Sequence, residues 1–210
     1  MEDNSSRVEN KGAIILAGGD SKRLGSPKAL LKFQGCSLIE LIVRRLGEYF
    51  DQLTLITDRP DLYDQLPVKI TGDIIKTDKK SPLRGIHAGL SSSLLPYQFT
   101  AACDMPFLNL DLISYMEKYA DEYDAVVPRV GDYFQPLHAY YSRTCIEVIE
   151  RQVDKGLYKV TDFYNLLNIK YIGEEEIENF DPQQLSFINI NRWSDYETAL
   201  KIFSDRHCEL

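Results

Sequence analysis

A glycine pair and three cations share one short run, Leu16-Ala-Gly-Gly-Asp-Ser-Lys-Arg-Leu-Gly-Ser-Pro-Lys28, and this run is the chain's clearest chemical signal. Gly18 and Gly19 have no Cβ, so the main chain can turn sharply there and a ligand can come close to its N–H groups. Lys22, Arg23 and Lys28 bring positive charge to the same loop. Oriented backbone donors and cations together suit a polyphosphate. The run is not the Gly-x-x-x-x-Gly-Lys-Ser/Thr phosphate loop, because no lysine follows Gly25, and it contains no Gly-x-Gly-x-x-Gly turn. A surface turn with solvated cations would use the same residue types. The apolar run Ala13-Ile-Ile-Leu16 directly ahead of it, however, reads as a strand covered on both faces, and the loops beyond such strands are where α/β sheets bind nucleotides.

Asp104 is the second signal. It follows the strand-like Phe99-Thr-Ala-Ala-Cys103, and Pro106 then breaks the pattern, so the carboxylate is placed at a strand end. It could hold Mg²⁺, which takes oxygen ligands and bridges a carboxylate to substrate phosphates, or it could cap the next turn. Asp73, after Gly72, could accept from a ribose or a base edge, or be a turn aspartate. Asn189 and Asn191 sit two apart in the strand-like Phe187-Ile-Asn-Ile-Asn191 and would face one side. There they could ligand a metal, hydrogen-bond a substrate or bridge loops. His87, His138 and His207 have no metal-ligand spacing, which favours structural roles, with His138 after Gln135-Pro-Leu the most interesting. No Ser-His-Asp or Cys-His arrangement follows from motif spacing. The cluster Glu174 to Glu178 reads as a solvated face.

The elements that must position these residues alternate. Ser37 and Glu40 have capping-box spacing ahead of a helix with Ile39, Ile42, Val43 and Leu46 on one face. Strands are expected at 53–57, 68–70, 99–103, 124–128, 137–141 and 187–191, the last closing the sheet. Helices are expected from about Gly85, around Leu112 to Tyr119, over 142–153 and over 162–167, with a last one capped by Ser194 and Glu197 and carrying Tyr196, Leu200 and Phe203. The polar, lysine-rich segment 73–84 reads as a functional or mobile loop. Such alternation implies a mainly parallel sheet sandwiched by helices, with right-handed crossovers.

Bulk properties narrow the class. A chain of 210 residues suits one domain with a sizeable core. The net charge of −8 argues against a nucleic-acid binder yet leaves room for a local cationic pocket. No apolar run approaches the roughly 20 residues that span a bilayer, and the polar N-terminus is not signal-like, so a cytoplasmic protein is expected. Cys36, Cys103, Cys145 and Cys208 form no Cys-x-x-Cys pair and read as ordinary, mostly buried thiols.

Five segments, taken in order, resemble the molybdenum cofactor guanylyltransferases, the MobA-like nucleotidyltransferases. They are the glycine run to Lys28, Ser81-Pro-Leu-Arg-Gly-Ile86, Ala102-Cys-Asp-Met-Pro-Phe-Leu108, Gln135-Pro-Leu-His-Ala139 and Phe187-Ile-Asn-Ile-Asn191. The first is shared with many nucleotidyltransferases, sugar-phosphate ones included; the third and fifth narrow the resemblance to this branch. It implies a Rossmann-like three-layer α/β/α fold over residues 12–204, between tails at 1–11 and 205–210. It implies transfer of GMP from GTP to the terminal phosphate of molybdenum-loaded molybdopterin, with Mg²⁺ as cofactor and pyrophosphate released. Leu16, Ala17, Gly18, Gly19, Lys28, Asp73 and Asp104 would then bind the nucleotide, Arg23, Lys28 and Asp104 act in catalysis, and Asp104 ligand the metal. Asn189 and Asn191 would lie near the pterin. Transient contact with molybdoenzyme maturation proteins also follows from the resemblance, with neither nucleic acid nor membrane as partner. Ser81 stands where the family usually has glycine, and Leu24 where it has methionine. Use of CTP, a sugar-phosphate acceptor, or a non-catalytic nucleotide-binding module are the competing readings.

Overall fold

In a computed structural model, which describes residues 11–18, 27–33 and 35–205, the run Gly12–Leu16 (β1) is buried at every position. Next come the hairpin Lys32–Phe33 (β2) and Cys36–Ser37 (β3), the helix Leu38–Gly47 (α1) and the strands Gln52–Ile56 (β4) and Lys69–Thr71 (β5). The helix Pro82–Ser91 (α2), strand Tyr97–Ala102 (β6) and helix Leu110–Glu117 (α3) follow. The second half runs through Ala125–Val130 (β7), Tyr133–Phe134 (β8), His138–Ser142 (β9), Cys145–Asp154 (α4), Ile169–Ile172 (β10), Glu174–Glu178 (α5) and Trp193–Asp205 (α6).

The central sheet has the order β10-β7-β9-β6-β1-β4-β5, with β8 paired to β7. Its β6-β1-β4-β5 half and the β10-β7 pair are parallel, and β9 runs antiparallel to both β6 and β7. Side chains of β1 alternate between two cores. Ala13 and Ile15 pack with α1 and α3, whereas Ile14 and Leu16 pack with α2 and α4, which gives the three α/β/α layers. Each fully buried leucine or isoleucine contributes about 1.5–3 kcal/mol, so the doubly covered β1 anchors the sheet.

Local chemistry fixes the two helices that flank β1. At the start of α1, Ser37 N–H donates to Glu40 Oε2 at 2.5 Å and Glu40 N–H donates to Ser37 Oγ at 3.3 Å, the capping box that the spacing predicts. Helix α2 lies unusually close to β1. A Cβ on Gly85 would stand 2.8 Å from Leu16 Cδ2, and one on Gly89 2.5 Å from Ile14 Cδ1. These two glycines, four apart and so on one helix face, let the backbone of α2 settle onto the strand.

The register sets the row from which the functional loops leave. Leu16 pairs with Ile56 and Ala102, and Ile56 pairs with Thr71, so four parallel strands end level. The ladder continues one step beyond β1 and β4. Ala17 N–H donates to Ile56 O at 2.9 Å, Cys103 N–H to Leu16 O at 3.1 Å and Thr57 N–H to Thr71 O at 3.0 Å. From β1 the chain crosses to β4 on one side, while β6 lies on the other, which makes this edge a topological switch point.

Several elements differ from the sequence expectation. Residues 187–191 are not a strand: a 3-10 turn covers Leu185–Phe187, and the rest runs across the strand ends. Both edges of β6 are already taken by β1 and β9, so this segment makes a single backbone bond there, Ile190 N–H to Asp104 O at 3.0 Å. Its alternating apolar residues bury against the core instead of pairing in a sheet. Helix α2 begins at Pro82, not near Gly85, because Ser81 and Pro82 serve as N-cap and N1. The helix expected over 162–167 is a 3-10 stretch, Val160–Leu166. No capping box forms at Ser194 and Glu197. Helix α6 starts at Trp193, and Asp195, in its first turn, reaches back to the N–H groups of Asn191 and Arg192 just ahead of it. Strand β10 was not anticipated, since Lys170 and Tyr171 interrupt its apolar pattern. In the glutamate cluster Glu174, Glu175 and Glu178 are exposed, as a solvated face requires, while Glu176 accepts from Gly173 N–H and Tyr115 Oη and pairs with Lys170.

The tail expected over residues 1–11 lies outside the described residues except for Lys11, whose carbonyl accepts from Asp51 N–H and Gln52 N–H. Of the C-terminal tail only Asp205 is described, and it ends α6. Cys145 is buried, Cys36 and Cys103 are half-buried, all three are unpaired, and Cys208 is outside the described residues. Among the described residues no helix is long and apolar enough to cross a membrane.

Candidate active site

A cleft of about 510 Å³ opens along the row of level strand ends. Each strand contributes the residues that immediately follow it: Ala17 and Gly18 after β1, Thr57 and Asp58 after β4, Asp73 after β5, and Cys103 and Asp104 after β6. Lys28, Tyr63, Lys80, Ser81, Asn189 and Asn191 add to its polar lining. Of the residues singled out in the sequence, Leu16, Ala17, Gly18, Lys28, Asp73, Asp104, Asn189 and Asn191 therefore meet in one cavity. Gly19 and Arg23 lie outside the described residues.

Lys28 joins residues far apart in sequence. It opens a short 3-10 turn behind Pro27, and its Nζ donates to Asp104 Oδ2 at 3.1 Å and to Asn191 Oδ1 at 2.6 Å. Both acceptors are held from behind. The main chain of Asp104 is tied by the Ile190 N–H bond to its carbonyl, and Asp195 Oδ2 accepts from Asn191 N–H at 2.9 Å and Arg192 N–H at 2.8 Å. Those backbone bonds, the Asn191 one foremost, hold the Asp195 carboxyl below the usual carboxylate range. Asn189 is positioned more locally, its Nδ2 donating to Phe187 O at 3.0 Å.

The opposite wall is built around the start of α2. Arg84 Nη2 pairs with Asp73 Oδ2 at 3.0 Å, and Nη1 donates to Thr77 O at 3.1 Å and Lys79 O at 2.8 Å. The guanidinium thus ties the lysine-rich segment 73–81 to the helix. Burial pushes the Asp73 carboxyl up, and the adjacent Arg84 pulls it back only in part. Nearby, Lys80 Nζ pairs with Asp58 Oδ2 at 2.8 Å and, against some burial, holds that carboxyl below its usual range. Ser81 is the N-cap of α2 but makes no side-chain cap bond, and its hydroxyl has no partner among the described residues. The cleft residues Thr57, Asp58, Tyr63 and Lys80 were missed in the sequence, although the rule that strand ends carry function would have found the first two.

Two groups can be set aside as acid–base candidates. His138 is fully buried with its ring edge-on to Phe99 and Phe187, and neither ring nitrogen has a partner. Burial pushes its pKa down to about 3, so it is neutral and cannot act as a cation. Burial also pushes the Cys103 thiol up to about 12, which leaves it protonated and a poor nucleophile. What remains is a cavity lined by Lys28, Lys80, Asp58, Asp73, Asp104 and the amides of Asn189 and Asn191. That set can position phosphates and a metal, and among the described residues of the cleft no histidine stands beside the Thr57 or Ser81 hydroxyl to activate it.

Comparison with known proteins agrees with this chemistry. A family described as the MobA-like NTP transferase domain matches residues 13–168. A protein of Peptoclostridium acidaminophilum named a probable molybdenum cofactor guanylyltransferase is 37% identical over 186 residues, 85% of this chain and 83% of that one. A protein of Syntrophotalea carbinolica named a molybdenum cofactor guanylyltransferase is 34% identical over 187 residues, 88% of either chain. Among solved structures, molybdopterin-guanine dinucleotide biosynthesis protein A from Archaeoglobus fulgidus superposes with a TM-score of 0.82 at 27% identity, covering 92% of this chain and 99% of that one.

Proposed function

The chain belongs to the MobA-like NTP transferase family, and from that premise we propose that it transfers GMP from GTP to the terminal phosphate of molybdenum-loaded molybdopterin, with residues 12–204 as its catalytic domain. The observation that carries this reading is the Lys28 ammonium bound to both Asp104 and Asn191 at the rim of a nucleotide-sized cleft. Names carried by the relatives supply guanine and molybdopterin; the cleft supplies the transfer chemistry.

In this reaction a terminal phosphate oxygen of the acceptor attacks the α-phosphorus of GTP. The new P–O bond forms as the bond to the β-phosphate bridge breaks, and pyrophosphate leaves with that bonding pair. Positioning and charge neutralisation account for most of the acceleration in such phosphoryl chemistry. The glycine loop beyond Ala17, whose own N–H is taken by Ile56 O, and the Lys28 ammonium would supply the donors for the phosphates. Asp73, Thr57 and the start of α2 form the wall against which the nucleoside rests. Asn189 and Asn191 stand on the acceptor side.

Mg²⁺ fits the donor set. Asp104 and Asn191 offer a carboxylate and an amide oxygen, the ligand chemistry a hard cation prefers. Among the described residues no group of three or more histidines, cysteines and acids forms a cage. One protein carboxylate completed by substrate phosphates and water is how Mg²⁺ is commonly held. When bound, the ion would neutralise charge on the α-phosphate and the leaving group.

The test is transfer of labelled guanylate from GTP to molybdenum-loaded molybdopterin, run beside ATP, CTP and a hexose phosphate acceptor. Acceptor-dependent incorporation from GTP alone is the expected outcome. Preferential incorporation from CTP, or onto the sugar phosphate, would replace this reading, and nucleotide binding with no turnover would leave only a binding module.

A further inference from the structure

With a single ammonium, Lys28 occupies the two oxygens best suited to a divalent cation. Its Nζ lies 3.1 Å from Asp104 Oδ2 and 2.6 Å from Asn191 Oδ1. An ammonium and a small divalent ion are both compact, strongly hydrated cations, and both are satisfied by carboxylate and amide oxygens. Two cations drawn to the same lone pairs repel each other, so one must yield.

The geometry shows which one can move. Asp104 is fixed at the end of β6 and through its carbonyl bond to Ile190 N–H, and Asn191 is fixed by the grip of Asp195 on its backbone. Lys28 reaches them on a flexible four-carbon stem. The backbones that carry the two oxygens are therefore tied in place, and the ammonium sits on the longest and most flexible of the three side chains.

Resting on the guanylyl-transfer reading, we infer that Lys28 is a built-in competitor for the metal, keeping a lone divalent cation off Asp104 and Asn191 and yielding only to one that arrives with a polyphosphate. The polyphosphate supplies the exchange partner. Lys28 trades a carboxylate oxygen for a phosphate oxygen, and the cation takes the two oxygens it leaves. Metal and polyphosphate then bind with positive coupling, and by linkage each raises the affinity of the other by the same factor. Loss of pyrophosphate reverses the exchange, so the metal departs with the product.

The experiment is a Mn²⁺ titration of the full chain without nucleotide, followed by the electron paramagnetic resonance signal of unbound Mn²⁺. The wild type and Lys28→Arg, which keeps the charge, should bind weakly. Lys28→Met and Lys28→Gln should bind at least about tenfold more tightly, within the usual range of coupling between sites. The gain should vanish in Lys28→Met/Asp104→Asn. Thermal melts confirm that each variant is folded. In the wild type, inorganic pyrophosphate should raise Mn²⁺ uptake by the protein above what pyrophosphate binds by itself. Equal Mn²⁺ affinity in wild type and both uncharged variants overturns the inference, as does a gain that survives Asp104→Asn or a wild type indifferent to pyrophosphate. None of these measurements uses GTP or molybdopterin, so failure of guanylyl transfer and failure of the metal competition are read separately.

Discussion

The two walls of the cleft are built on different principles. On the α2 side, Asp73, Thr77, Lys79 and Arg84 are sequence neighbours closed into one network, and the Arg84 and Asp73 side chains are only 7% and 16% exposed. On the other side, Lys28, Asp104 and Asn191 come from three distant segments and meet through a single ammonium. The first wall is a brace whose charges satisfy one another. The second is a contact between groups that could each exchange a partner for substrate. Stability should therefore depend on the first and turnover on the second.

Substitutions that strike one wall at a time test this division. The largest effect is expected from Asp104→Asn and Lys28→Met, each of which should lower kcat by about 100-fold or more, as removal of a group that stabilises transition-state charge does. The Lys28 and Asp104 side chains are 22% and 16% exposed, and only the cation is more open than in the brace, so each substitution should cost about 1 kcal/mol in stability, less than loss of the brace. A kcat within a few-fold of wild type for either would end the catalytic assignment of that wall. Arg84→Met should do the reverse, costing roughly 2–3 kcal/mol in urea unfolding by leaving Asp73 without its partner, a value discounted from a fully buried pair. Unchanged stability would show that the brace is ornamental.

Asp195→Ala is a milder test of the catalytic wall. Removing the acceptor for two helix-start N–H groups costs about 1 kcal/mol, or about fivefold in kcat if it all falls on the transition state. Asp195→Asn, which keeps an acceptor oxygen, should recover much of that loss. Equal defects in the two variants would argue that Asp195 acts by charge and not by fixing Asn191.

His138, buried against Phe99 and Phe187 and not among the residues that line the cleft, should affect neither turnover nor substrate affinity directly. Folded, its imidazole stays neutral down to about pH 3, whereas the unfolded chain protonates it near 6.5. The unfolded state then binds more protons across that window. Stability is full above pH 6.5 and falls as pH drops toward 3, by up to about 1.4 kcal/mol per pH unit from this group. Denaturant unfolding of His138→Phe over the same range should lack that share of the slope, and identical slopes would contradict a neutral buried ring.

The same division explains what could be read in the sequence. The glycine run, the covered strand and the alternation of elements were legible because each is written in adjacent residues. Asp104 was found because a carboxylate directly after an apolar strand is itself a local pattern. That Lys28, Asp104 and Asn191 share one sheet edge was legible, but that one ammonium would bond both oxygens was not, because only the level strand ends and the crossing segment near Asn191 fix that contact. That segment misled for the same reason: Phe187 to Asn191 alternates like a strand, but no free edge of β6 remained to receive it. Asp58 and Lys80 escaped notice because an ion pair across two loops leaves no periodic trace. The Asp195 cap was displaced by a better-looking match, Ser194 with Glu197, one of many spacings that satisfy the motif by chance.

The central claim is that the Lys28, Asp104 and Asn191 corner is the catalytic half of a guanylyl transfer site. It is tested most directly by single-turnover transfer of labelled GMP from GTP to molybdenum-loaded molybdopterin, with wild type and Asp104→Asn side by side. The account predicts dinucleotide and pyrophosphate in equal amounts from the wild type, and a rate about 100-fold lower or less from the variant. Absence of acceptor-dependent transfer by the folded wild type, or an undiminished rate with Asp104→Asn, would contradict it.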